Sequence, residues 1–322
     1  MIGLIGLGLV RSEIGKYLVR VGLLSSAGAA AAAATDPSVA GGRLTASSTE
    51  PVTTSDTTSA TLYYLPYIGN KLAVYDGAAW GLVTIPDAGA TLDVSALTTA
   101  QVYDVFGYSS GGTLTLEAVA WSNHGAGTGA RATALTRVGG VLVKSGDTGK
   151  RYLGTIRTIT STGVKCQDSL HFRFIWNAAN RVPVRDYAGT TTDSWTVSST
   201  NGTFGAINSG NATWKYDFVV GLDSYVESIV SIFMFRDTGQ DSPIYSVALN
   251  GTSPSGTIAT RHIASIVGAT AFPSLSLINL MPVGYNYTQG VETTSASGTA
   301  PISYGDGGST AIQSGMTYSA ER

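Results

Sequence analysis

Along most of this chain apolar and polar residues alternate in runs short enough to be strands, and turn formers recur between the runs. In Thr113–Ala120, Leu114, Leu116 and Ala118 alternate with Thr113, Thr115 and Glu117, the period-two pattern of a strand with one buried face. Lys71–Tyr75 and Trp80–Ile85 flank Asp76-Gly77 and predict a hairpin with a four-residue loop. Gln101–Tyr108 and Thr113–Ala120 flank the turn Ser109–Gly112. Arg137–Val138 and Val141–Lys144 flank Gly139-Gly140, a tight two-residue hairpin, and Arg151–Ile159 follows the loop Ser145–Gly149. Strands joined this way predict a β-sandwich or barrel over residues 43–165.

A second series fills residues 191–322. Its predicted strands are Ser194–Val197, Tyr216–Leu222, Ser228–Phe235, Ile244–Leu249, Thr257–Ile263, Leu275–Met281, Gly284–Glu292 and Ile302–Tyr304. This many short strands, with Asn-Gly, Pro and Gly clusters between them, suits a jelly roll. Between the two series, residues 166–190 form a connector dense in arginine and aromatic residues, CQDSLHFRFIWNAANRVPVRDY. Asp168 or Ser169 could cap a short helix there that Pro183 would end, or the stretch could be extended.

The first 42 residues follow a different pattern. Ile14, Tyr17, Leu18, Val21 and Leu24 fall close to helical spacing, with Arg11, Lys16 and Arg20 off that stripe. Gly15 and Gly22 each weaken such a helix by up to ~1 kcal/mol. Ala27–Gly42 reads as a linker, with an alanine run, Asp36-Pro37 and a Gly-Gly pair. Residues 1–42 are therefore expected to be an attachment segment and linker. The opening MIGLIGLGLV offers Gly6 and Gly8 as the first two glycines of a dinucleotide fingerprint. Arg11 occupies the third position, and Ala29–Ala34 stand where a ribose-binding acid is needed. A signal peptide would need a positive start and an uninterrupted apolar core. No apolar run reaches the ~18 residues of a membrane span, so no membrane insertion is expected.

Composition sharpens the picture at two points. Charged residues make up 12% of the chain, about half the usual ~25%, which suits a surface partly covered by other subunits, since interface cores are depleted in charge. The net charge of −2 and the lack of any basic stripe remove the electrostatic footprint of nucleic-acid binding. The single cysteine, Cys166, rules out an intrachain disulfide framework and reads as a small buried apolar residue.

Candidate chemistry does not converge. His124, His171 and His262 lack metal-ligand spacing. Arg173, Arg181 and Arg185, with His171, invite a catalytic reading. Guanidinium groups bonding carbonyls or carboxylates at a domain or subunit junction account for them better. Asp306 in YGDGGST fits turn chemistry as well as a calcium site. Tyr285 and Tyr287 in GYNYT could stack on sugars, with core packing the more ordinary role. There is no phosphate-binding loop. No catalytic, cofactor-binding or metal residues are assigned, no cofactor is expected, and the chain is expected not to be an enzyme.

Three runs carry a resemblance: Ala130–Thr158 (ARATALTRVGGVLVKSGDTGKRYLGTIRT), Asp168–Val182 (DSLHFRFIWNAANRV) and Ser303–Ala320 (SYGDGGSTAIQSGMTYSA). Through them, residues 43–322 resemble a group of proteins of phages and marine metagenomes known as hypothetical or virion structural proteins. Leu97 and Tyr103, six apart in SALTTAQVYDVFGY, are similar to the fibronectin type III pattern, which implies a tyrosine hydroxyl bonded to upstream backbone. The last domain resembles the trimeric jelly-roll heads of C1q and TNF type. These likenesses imply an all-β virion protein: a homotrimeric tail fibre or receptor-binding appendage, attached to other virion proteins through residues 1–42 and reaching a host surface glycan. The alternative is a capsid decoration or head-fibre protein. Either would be assembled in the host cytoplasm and located in the virion.

Overall fold

The computed structural model describes residues 35–222, 224–235, 241–254, 262–263, 270–271, 274–296, 298–305 and 313–322. The expected amphipathic stripe Ile14–Leu24, the glycine-rich start, most of the strand expected at Thr257–Ile263, and Asp306 lie outside these residues. What is described is almost entirely β-structure, with only two 3₁₀ turns, at Ile207–Gly210 and Ala212–Trp214.

Local turn chemistry sets the first hairpins. Tyr75 faces Trp80 across the expected four-residue loop. Val138 faces Val141 across Gly139-Gly140, and both glycines have positive φ (54° and 85°). This double left-handed turn matches the twist of the flanking strands. The same geometry recurs at Gly111-Gly112, so Val102–Ser110 and Thr113–Asn123 pair right up to Ser110 and Thr113. The turn is therefore two residues long, not four, and the strands are longer than their apolar pattern indicates.

The centre of the fold is the long strand Asp147–Thr160. It pairs antiparallel with Val102–Ser110, Val141–Lys144, Val164–Ser169 and Ile175–Asn177. At Gly154 the backbone carbonyl of Trp176 comes so close that a Cβ would sit 2.1 Å from its oxygen; only glycine admits this approach.

The connector is extended, in the strands Val164–Ser169, Phe172–Arg173, Ile175–Asn177 and Pro183–Gly189, and no helix forms at Asp168. Backbone pairing with neighbours on both sides outweighs the local capping signal. Phe172–Arg173 lies parallel to Lys215–Val220; every other strand pairing among the described residues is antiparallel. Through this link one sheet of fifteen described strands runs from Pro243–Leu249 and Gly284–Thr294 across to Val102–Ser110 and Thr113–Asn123.

Smaller sheets cover the large one. Gly42–Thr45, Thr61–Pro66 and Ala90–Asp93 form a three-stranded sheet over a core that includes Leu44, Leu62, Leu72, Val105 and Ile156. In the later part Pro183–Gly189, Gly315–Glu321, Ser224–Ser231 and Ser274–Met281 make a four-stranded sheet, in that order. Its inner face packs on a core of Trp214, Tyr216, Phe218, Val230, Leu277 and Met316. A third cluster, with Phe106, Trp121, Tyr152, Trp176 and Val219, draws on both halves. Residues Pro37–Arg322 thus form one compact unit.

Two side-chain devices position the early strands. Tyr103 is buried and its hydroxyl accepts from the Thr98 amide at 2.8 Å, the upstream-backbone bond that the fibronectin-like pattern implies. Asn177 acts as a substitute strand: its Oδ1 accepts from the Leu44 amide at 2.7 Å and its Nδ2 donates to the Leu44 carbonyl at 3.2 Å. Asn180 Nδ2 donates to the carbonyls of Ala40 (2.6 Å) and Gly42 (2.9 Å). Asn177 is buried, so Asn177→Ala strands one amide and one carbonyl away from water. The expected cost is about 2–3 kcal/mol, read as a lower denaturant midpoint at unchanged slope.

Candidate functional site

The residues with the strongest claim to chemistry are dispersed. His124 is exposed. His171 has its Nδ1 3.1 Å from the Lys215 carbonyl and its ring 5.3 Å from that of Tyr216. His262 lies in the strand His262–Ile263. Among the described residues no three His, Cys, Asp or Glu side chains gather to hold a metal ion. Cys166 is buried with its Sγ 3.3 Å from the Ser59 carbonyl, and burial pushes its thiol up to about 12. A thiol held so far above neutrality is not a nucleophile.

The connector arginines do what junction arginines do. Arg173 Nε donates to Asp186 Oδ2 at 2.7 Å and its Nη1 to Asp168 Oδ1 at 3.1 Å. Arg322 also pairs with Asp168, and Thr53 Oγ1 donates to Asp168 Oδ2 at 2.8 Å. This network ties Val164–Ser169, Phe172–Arg173 and Pro183–Gly189 to residue 322, and its charges are matched. Arg181 lies over the Trp176 ring, 5.5 Å from the centroid. Arg185 is different: it is exposed and makes no ion pair among the described residues.

Tyr285 and Tyr287 stand side by side on Gly284–Thr294, half-buried, with centroids 6.3 Å apart. Arg157 sits 4.0 Å from the Tyr285 centroid, and Lys215 Nζ sits 4.2 Å from that of Tyr287. One face of each ring is thus occupied by a cation of the chain itself, and the Tyr285 hydroxyl is bound to Asp217.

Two buried carboxylates escape sequence reasoning. Asp104 is held by Arg131 (Nε to Oδ2, 2.6 Å) and by Thr155 (2.7 Å), with the guanidinium 4.5 Å from the Trp121 centroid. Asp104 and Arg131 belong to non-adjacent strands, and no local pattern relates them. Glu292 is fully buried; it accepts from the Trp195 indole at 2.9 Å and from the amides of Asn208 (3.2 Å) and Ser198 (3.4 Å). Burial outweighs these donors and raises its pKa to about 7.

The feature that stands out is a surface. The outward side chains of the four-stranded sheet fall in rows across its strands. One row holds Pro183, Glu321, Tyr225 and Leu280. The next holds Arg185, Ser319, Glu227 and Ile278, and the third Tyr187, Thr317, Ile229 and Ser276. Four of the nine exposed large hydrophobic residues among those described lie on this one face: Tyr225 (68% exposed), Tyr187 (49%), Ile278 (48%) and Leu280 (44%). A cleft of about 750 Å³ lined by Arg185, Tyr225, Glu227, Ile278 and Leu280 runs over it. In a sheet with one buried face the other is ordinarily polar, so the clustering of apolar residues sets this face apart. The sequence shows the alternation, but not which of the two faces is open.

No protein-family model matches the sequence, and no curated protein matches it. Among solved structures the chain is similar to that of the infectious bursal disease virus Gx strain, at 14% identity and a TM-score of 0.27, covering 90% of this chain and 79% of that one. It is similar to the stem and receptor-binding domain of the spike protein P1 from bacteriophage PM2, at 11% identity and a TM-score of 0.20, covering 71% and 89%. It is also similar to dimeric latent PorU from Porphyromonas gingivalis, at 10% identity and a TM-score of 0.28, covering 68% of this chain and 21% of that one. At such scores the likeness carries no argument about function.

Glu292 gives a pH test of the core. The unfolded carboxyl titrates near 4.5 and the folded one near 7. Between these values the folded state holds the proton and the unfolded state does not. The contribution of Glu292 is therefore complete below pH 4.5 and is lost as pH rises to 7, by about 3 kcal/mol in all. Denaturant titrations from pH 4.5 to 8 should show this decline in the natural chain, and a correspondingly flatter profile for Glu292→Gln.

Proposed function

We propose that this chain is a virion structural protein: a homotrimeric tail-fibre or receptor-binding appendage of a phage particle, attached through residues 1–42 and directed towards a host surface glycan. The observation that carries this reading is where the three phage-like runs fall in the fold. Ala130–Thr158 includes the central strand Asp147–Thr160. Asp168–Val182 includes Arg173, Asn177 and Asn180, which tie the early strands to the later ones. Ser303–Ala320 reaches into Gly315–Glu321, an inner strand of the four-stranded sheet, and into Ile302–Tyr304, an inner strand of a second sheet ordered Ser194–Thr196, Ile302–Tyr304, Phe233–Phe235, Thr270–Ala271. The likeness thus follows the frame of the molecule and not a pocket, as suits a protein whose task is its shape.

A low share of charge and an open apolar face favour a multi-subunit state. The same features suit a capsid decoration or head-fibre protein, the second reading. Copy number separates the two. Quantitative mass spectrometry of purified particles should find a few trimers per particle for a tail appendage, and tens to hundreds of copies for a decoration. Absence of the chain from particles would overturn both. Native mass spectrometry should give about three times the 33.2 kDa chain mass; a species of single-chain mass alone would remove the trimer.

A further inference from the structure

We infer that the outer face of the sheet Pro183–Gly189, Gly315–Glu321, Ser224–Ser231, Ser274–Met281 is covered by a second copy of this chain, in a contact that pairs Arg185 of one copy with Glu227 of the other. The inference deepens the multi-subunit reading above and rests on it.

The first observation is the distribution of charge. The margin of the face formed by Pro183–Gly189 carries Arg185, with Arg181 just before it, and both are exposed. The middle strands carry Glu227 and Glu321, and the opposite margin carries Ile278 and Leu280 without any charge. Arg185 and Glu227 share a row but have Ser319 between them. Two strand spacings, about 9.6 Å, separate their backbones. Among the described residues Arg185, Glu227 and Glu321 form no ion pair and no side-chain hydrogen bond. A face that combines exposed apolar residues with unpaired charges of both signs is complementary to itself.

The second observation is the spacing within the row. Ser319 lies midway between Arg185 and Glu227. With two such faces opposed about a two-fold axis along the strands over Gly315–Glu321, Arg185 of each copy meets Glu227 of the other, so one placement forms the pair twice.

The third observation is the edge. Among the described strands Ser274–Met281 lies at the edge of its sheet, and it reads SLSLINLM, without charge or proline. Exposed edges are normally protected by Lys, Pro or inward charges, so an uncharged edge beside an apolar face implies a cover. Two strands of seven residues and two of eight present roughly 500 Å² in projection, enough for the core of an interface that buries about 800 Å² per partner.

The test uses the full 322-residue chain. Sedimentation equilibrium should show concentration-dependent association of the natural protein. Arg185→Glu and Glu227→Arg should each weaken it about tenfold or more, and the double variant should restore it, because reversing both charges rebuilds the pair. Tyr225→Gln with Leu280→Gln, two exposed positions, should abolish association while leaving the melting transition in place. A natural chain that stays at 33 kDa at all concentrations, reversals without effect, or a double reversal as weak as the singles would each overturn the inference. Absence of the chain from particles would overturn the virion reading and leave this result standing.

Discussion

The hydrogen bonding of Asp147–Thr160 is the constraint on which the rest of the molecule depends. One strand of fourteen residues serves four partners, so its backbone must be satisfied along nearly its whole length while its side chains fill two cores. Leu153 and Ile156 enter the early core, and Tyr152 enters the cluster shared with Trp176 and Val219. A run buried continuously from Arg151 to Ile156 cannot show period-two alternation, since both its faces are inside. The shift of register between Tyr152 and Gly154 lets the strand bend from one core to the other. Gly154 makes that bend compatible with the close passage of Trp176.

What the sequence made legible follows from the range of each interaction. Hairpins were readable because their cause is local: Asp76-Gly77 and Gly139-Gly140 specify their turns wherever they stand. The strands of the last third were readable because alternation reports one buried face, and Ser274–Met281 and Gly284–Thr294 begin within a residue of their expected places. The connector was ambiguous because its capping signal at Asp168 is local, whereas the bonds that decide against a helix come from Lys215–Val220, over forty residues away. The pairings Asp104–Arg131 and Glu292–Trp195 were invisible for the same reason.

Two sets of charged residues contrast. Inside, Asp168, Asp186, Arg173 and Arg322 compensate one another, and Asp104 is matched by Arg131. Desolvation makes such groups costly when unmatched, so their pairing is a condition for the junctions to close. Outside, on the apolar sheet face, Arg185 and Glu227 are left without partners, although this chain has few charges to spend. A surface poor in charge that still places opposite charges on one face has its specificity in those few positions.

The clamp on the first strand has a consequence for how the protein is made. The Leu44 backbone is completed by Asn177, the Ala40 and Gly42 carbonyls by Asn180, and Asp168 by Arg322. A chain emerging from the ribosome presents residues 40–45 long before residues 177–180 exist, and Asp168 long before Arg322. Synthesis at about 5–20 residues per second leaves the early strands without these partners for roughly 7 to 30 seconds. The early core, which spans Leu44 to Ile175, is therefore complete only once residues 175–180 are available. The Asp168–Arg322 pair, with partners 154 residues apart, is set later than the Leu44–Asn177 clamp, and until then Asp168 is within reach of chaperones and of sister chains.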